Sequence, residues 1–227
     1  MKKTTILLLF ILFTIDASAQ GRNSFIAIRT GYSYPVGRYS SNDLDDGSFA
    51  SIGINASVEG GWFFSSHFGI GGQAGINLHP LDLQELAIAK IEDDPFLSDL
   101  RIRSEEFQSI TNTTGFYGTW SVRGKFNVNA KILSGIMYAK TPYQIYKPQY
   151  FLAGPEYYEI TSAADYSLVF IGGTGIVYNA LDYLDLILTG EYHYSKLTFR
   201  FNTANGVVDD HKVISFINLL FGLVIKI

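Results

Sequence analysis

The chain is predicted to be an all-β protein: an eight-stranded antiparallel up-and-down transmembrane β-barrel with short periplasmic turns and long extracellular loops. Three observations predict this. Apolar residues make up 47% of the chain and charged residues only 17%, yet no segment after residue 20 has the 18 unbroken apolar residues of a membrane-spanning helix. Apolar side chains instead recur at every second position, over segments long enough to cross a bilayer as strands. The connections between these segments alternate between short and long, as in barrels whose turns lie on one side of a membrane and loops on the other.

The domain division starts with a leader. Lys2 and Lys3 form a positive start, Ile6 to Ile15 an apolar stretch, and Ala17-Ser18-Ala19 a small-residue cleavage signal. Residues 1–19 therefore read as a cleaved signal peptide and residues 20–227 as one barrel domain, beginning at Gln20. Of the 17 basic and 21 acidic residues, Lys2, Lys3 and Asp16 lie in the leader, which leaves the remainder at net −5. That charge, and export from the cytoplasm, argue against nucleic acid as a partner. Without Cys, neither disulfides nor thiolate metal sites are possible.

The first strand, Phe25 to Tyr34, places Ile26, Ile28, Thr30, Tyr32 and Tyr34 on one face, opposite Arg29, Gly31 and Ser33. The second has the cleanest pattern. Ile52, Ile54, Ala56, Val58, Trp62 and Phe64 alternate with Gly53, Asn55, Ser57, Glu59 and Gly61, which excludes a helix. The third repeats it with Phe68, Ile70, Ala74 and Ile76 against Gly69, Gly71, Gln73, Gly75 and Asn77. The fourth, about Thr113 to Phe126, sets Phe116, Trp120, Val122 and Phe126 outward and Thr119, Ser121, Arg123 and Lys125 inward.

The fifth strand (Lys131 to Lys140) and sixth (Tyr166 to Tyr178) are apolar on both faces. Ile132, Ile136 and Tyr138, then Leu168, Phe170, Ile176 and Tyr178, read as outward. The seventh sets Leu184, Leu186, Leu188, Tyr192 and Tyr194 against Asp185, Thr189, Glu191 and His193. The eighth alternates from Ile217 to Ile227. Short turns are expected at Ser65–His67, Asn127–Ala130 and Asn179–Tyr183. Long loops are expected at Pro35–Phe49, Pro80–Asn112, Thr141–Ala163 and Asn202–Lys212. Aromatic girdles follow at the two membrane interfaces: Trp62, Phe64, Phe68 and Tyr178 near the turns, Tyr32, Tyr34, Tyr192 and Tyr194 near the loops.

Four runs of sequence carry a family resemblance. They are A-S-A-Q ending the leader, G-Y-S-Y-P-V-G-R-Y at 31–39, G-G-W-F-F-S-S-H-F-G-I-G-G-Q-A-G at 60–75, and the terminal F-G-L-V-I-K-I. With these the chain resembles the small outer-membrane β-barrel domain family, similar in architecture to the OmpX and OmpA barrels and abundant in Bacteroidota. The resemblance implies a fold and a bacterial outer-membrane location reached through the periplasm. It also implies recognition by the barrel assembly machinery, through Gly222, Ile225 and Ile227 of a G-x-x-apolar-x-apolar end. Ile227 stands where Phe is usual.

The polar face of each strand should be the lumen, because hydrocarbon cannot solvate it. Arg29, Glu59, Arg123 and Glu191 then form an interior charge cluster, joined by Lys125, Lys131, His193 and Lys226. Such charges need partners, so they either fill the lumen with a salt-bridge network or line a narrow pore. His193 and Ser195, with Glu191, share one face and allow a lipid-modifying enzyme. Residues two apart on a strand are, however, about 6.6–6.8 Å apart, too far for a direct nucleophile–base contact. Asp43, Asp45 and Asp46 before Gly47 suggest calcium, but the twelfth position of such a loop would be Ile54, so a solvated turn fits better. The acidic loop at 80–112 holds a short amphipathic helix at Asp82–Glu92, marked by Leu83, Leu86, Ala87 and Ile91.

The expected function is that of a non-catalytic, side-chain-filled anchor displaying extracellular loops for envelope stability or binding. No cofactor and no metal are expected. Outer-membrane lipid or lipopolysaccharide and an outside ligand are the expected partners. A small passive channel is the alternative, then a lipid-modifying enzyme. A soluble lipocalin-like carrier would need the opposite polarity.

Overall fold

The computed structural model describes residues 24–152, 154–203 and 206–227. The leader and the cleavage site before Gln20 lie outside the described residues. The strands are β1 (Ser24–Pro35), β2 (Gly53–Phe63), β3 (Phe68–His79), β4 (Leu97–Ser104), β5 (Phe107–Arg123) and β6 (Phe126–Lys140), then β7 (Gln144–Tyr150), β8 (Tyr158–Ile160), β9 (Ala164–Asn179), β10 (Leu184–Thr203) and β11 (Gly206–Lys226). The α-helix α1 spans Leu83–Asp93, and a 3-10 turn spans Gly37–Ser40.

Eight strands close a barrel in the order β1-β11-β10-β9-β6-β5-β3-β2, all neighbours antiparallel. The ring shuts where Ile26 pairs with Ile225 and Thr30 with Phe221. Period-two alternation sends one face of every strand outward. Ile28, Phe116, Ile132, Leu168, Leu188 and Phe221 are all exposed, while Arg29, Gln73, Thr113, Thr189 and Asn218 are buried inside. A soluble protein cannot keep an apolar belt of this extent in water, whereas a bilayer requires it. Closure leaves no unpaired sheet edge within the ring, the condition for strands to cross hydrocarbon.

Small residues permit this closure. A Cβ on Gly31 would lie 2.0 Å from the Leu219 carbonyl oxygen, and one on Gly53 would lie 1.9 Å from that of Leu78. The backbones therefore approach where no side chain fits.

Three boundaries differ from expectation, the first being the long loop expected at Asn202–Lys212, where β10 runs on to Thr203 and β11 starts at Gly206, so that Leu197 pairs with Lys212 in the ladder. The fourth barrel strand, β5, begins at Phe107 rather than near Thr113, and the barrel wall extends beyond the aromatic girdle. The turn placed at Asn127–Ala130 instead lies at Gly124–Lys125, with Gly124 at φ 61, a left-handed conformation suited to glycine. A register shift between Ser121 and Arg123 precedes it. Arg123, expected in the lumen, is thereby carried past the wall to an exposed position at the hairpin tip. Lys125 is exposed in the same turn.

The two longest loops are not irregular. β4, β7 and β8 form a separate three-stranded sheet in the order β4-β7-β8 beyond the barrel mouth. α1 packs on it, burying Leu86 among Phe49, Leu97, Leu100 and Tyr146. Sequence supplies the ends of α1. The Asp82 side chain accepts a hydrogen bond from the Glu85 backbone N–H at 3.1 Å, and Pro95 cannot continue the helix. Phe49 ties the cap to the barrel mouth. Its backbone is left-handed (φ 52), its carbonyl accepts from Asp82 N–H at 2.8 Å, and its ring enters the cap core. Asp82→Ala is expected to cost about 1 kcal/mol of local stability. Faster amide exchange confined to residues 83–93 is the expected result, with the barrel strands unchanged.

Candidate functional site

The lumen is built in layers. The central layer joins four strands. β1 supplies Arg29, β2 Glu59, β6 Lys131 and β10 Glu191, each 1–5% exposed. Arg29 donates to Glu191 and is ion-paired with Glu59, while Lys131 donates to Glu59 and lies 2.7 Å from Glu191. Gln73 on β3 bridges the group. Its amide N–H donates to Glu191 at 3.0 Å and its oxygen accepts from Lys131 at 2.9 Å. Two cations thus face two carboxylates, and the cluster is neutral. This balance of charge is what makes such deep burial tolerable.

The next layer toward the loops is uncharged and polar. Asn55 donates to Asn77 at 2.7 Å, Asn218 donates to the same oxygen at 3.2 Å, and the His79 ring meets Ser33 Oγ at 2.8 Å. His193 connects the two layers, 3.2 Å from Glu191 and 3.2 Å from the Asn218 amide nitrogen, with its ring stacked on Phe216 at 4.6 Å. Above it the lumen becomes apolar. Tyr39, Phe107, Met137, Leu197, Phe199 and Phe216 fill the mouth as one cluster. On the turn side, Lys226 pairs with Asp185 at 2.9 Å. A cavity of about 180 Å³ lies there, lined in part by Phe25, Phe63, Tyr117 and Asn129.

Of the four charges expected together, Arg29, Glu59 and Glu191 converge and Arg123 does not. The ladder shift near the β5–β6 turn breaks the parity that placed Arg123 inside. Its position in the cluster is taken by Lys131, read from sequence as an accessory member. Gln73 lies on the expected inner face, where an amide carries no charge to mark it as a cluster member.

The enzyme reading is not supported by the local geometry. The Ser195 hydroxyl donates to the Leu168 carbonyl at 2.8 Å, across to β9, while His193 turns to Glu191 and Asn218. Asp43 accepts from the Asp45 backbone N–H at 2.9 Å, an Asx turn.

On the outer surface, Tyr32, Trp62, Phe64, Phe68, Tyr178 and Tyr192 are exposed, and Tyr34 and Tyr194 are half-buried. Ring pairs recur at both rims, as in Phe126–Tyr178 at 5.1 Å and Tyr138–Tyr166 at 4.8 Å. At the chain's end, Gly222 points inward, where a Cβ would lie 2.3 Å from the Ile28 carbonyl oxygen, while Ile225 and Ile227 point outward.

The cap presents its own surface. Phe96, Phe151 and Leu152 are exposed together beside the hydrogen bond from Phe151 N–H to the Phe96 carbonyl at 3.1 Å. Elsewhere in the cap, burial and then the charge of the neighbouring Tyr158 phenol, whose ring stacks at 4.7 Å, hold the Tyr146 phenol above its ordinary pKa.

A closed eight-stranded ring, apolar outside and polar inside, with aromatic rims, is a small outer-membrane β-barrel. Among solved structures the chain is similar to Neisserial surface protein A (11% identity, 90% of this chain and 97% of that one, TM-score 0.49). It is also similar to a major outer membrane protein of Thermus thermophilus (11%, 90% and 99%, TM-score 0.49) and to Ail, the attachment invasion locus protein of Yersinia pestis (17%, 88% and 99%, TM-score 0.46). No protein-family model matches the chain, and no curated protein does.

Proposed function

We propose that the protein is a non-catalytic anchor whose filled barrel holds an extracellular cap at the cell surface, for envelope stability or binding. The observation that carries this is the filling of the lumen. The charge cluster, the amide layer and the apolar plug lie in succession along its axis, which supports a filled lumen over a water-filled one. The cap, with its own core, then provides the surface available to partners, and the exposed Phe96, Phe151 and Leu152 are its most apolar part. Lys196 extends the outward face of β10 two residues beyond Tyr194, at headgroup level, where lipopolysaccharide phosphates would sit. Gly222 and Ile225 on β11, with Ile227 just after it, would be read by the assembly machinery before insertion.

Planar-bilayer recording tests the proposal. The purified barrel is expected to give no steady single-channel steps. Reproducible steps from the wild-type chain would overturn the filled-anchor reading in favour of a passive channel. An enzyme would be revealed by a change in lipid A mass on expression, lost in His193→Ala; no change is expected.

A further inference from the structure

We infer that the lipid-facing surface of β3, β5 and β6 is a contact between two copies of this chain within the membrane. Three polar side chains carry the inference: Asn112 and Thr114 on β5 and Ser134 on β6. All three point outward and are exposed. Thr114 and Ser134 are directly opposite across the ladder, and Asn112 sits one outward position further toward the loops, between Ala74 and Ile136.

Their depth is fixed by their neighbours. Ser134 lies between Ile132 and Ile136, 74% and 56% exposed, and the β5 pair lies between Ile110 and Phe116, 47% and 69% exposed. Trp120 and Phe126 mark the rim on the turn side and Tyr138 the rim on the loop side. The three groups therefore face hydrocarbon.

Two other outward threonine hydroxyls in the barrel are satisfied internally. Thr30 donates to the Asn55 carbonyl at 2.9 Å and Thr174 to that of Asn129 at 3.0 Å. Among the described residues, Asn112, Thr114 and Ser134 have no such partner. An unmade hydrogen bond in hydrocarbon is costly, and an amide loses both its donors and its acceptor. Lipid tails can supply neither. The face therefore fits a protein surface bearing complementary polar groups.

A second copy supplies that surface. Every copy inserts in the same direction, so a two-fold axis along the membrane normal relates two identical faces. Asn, Ser and Thr each donate and accept, which makes the patch complementary to itself. Gly72 and Ala74 beside it keep the wall low, so that the two backbones can approach.

The chain has no Cys, so a single introduced thiol can be oxidised only to its own copy or to another protein. Asn112→Cys, expressed in outer membranes and oxidised with copper phenanthroline, is expected to give a band of twice the monomer mass. Phe221→Cys, on the opposite wall, is expected to remain monomeric. In a Ser134→Cys background, Asn112→Leu is expected to lower the cross-linked fraction about three- to tenfold. Heat-dependent gel migration verifies that each variant is folded. Equal cross-linking at Asn112 and Phe221, a monomer at both, or a product of a different mass at Asn112 would overturn the proposal.

Discussion

Glu191→Gln is expected to destabilise the folded barrel by about 3–5 kcal/mol, because it removes one of two carboxylates that balance two buried cations. Glu191 meets Arg29, Lys131, Gln73 and His193 together, and its side chain is fully enclosed. In the variant, Arg29 and Lys131 share only Glu59. A carboxamide oxygen can still accept a hydrogen bond but cannot neutralise the excess charge. Urea-dependent unfolding in lipid vesicles measures the loss. A matched double variant, Glu191→Leu with Lys131→Met, removes one charge of each sign and is expected to cost much less than the single change. A loss below about 1 kcal/mol for Glu191→Gln would mean that the cluster is hydrated rather than closed.

Phe216→Ala is expected to cost about 3–5 kcal/mol by the cavity it leaves in the plug. Phe216 is fully buried on β11, with ring contacts to Tyr39 at 6.5 Å, His79 at 5.1 Å and His193 at 4.6 Å. It is the junction between the apolar mouth and the polar layers. The surrounding wall is a closed ladder that cannot collapse inward to fill the gap. The same unfolding measurement applies. A cost under about 1 kcal/mol would show that water enters the gap and that the plug is looser than its packing implies.

The barrel was legible because one physical demand, polar inside and apolar outside, is written at every second residue. Strand 2 is the clearest case: Ile54, Ala56 and Val58 face lipid while Asn55, Ser57 and Glu59 face the lumen. The signal weakens where the interior is itself apolar. Leu133, Met137, Val169 and Ile171 are buried inside β6 and β9, so those strands read as apolar on both faces. Arg123 was misplaced because alternation carries no mark of where a ladder shifts. The cap was legible only in part. The Asp82 cap and the spacing of Leu83, Leu86 and Ala87 marked α1. β4, β7 and β8 do not stand out, since β4 finds its partner β7 only across the intervening barrel strands β5 and β6, and β8 is a strand of just three residues.

The seam between β1 and β11 sets the order of assembly. Its partners, such as Ile26 and Ile225, stand at opposite ends of the ring's sequence. Until β11 is available, any partial ladder has two raw edges, each with a row of unpaired N–H and C=O groups that lipid cannot satisfy. A growing chain therefore has no stable intermediate that is both inserted and incomplete. Contacts so distant in sequence also form slowly. The polypeptide must cross the periplasm without its final structure, and insertion and closure become a single event that waits for the last strand.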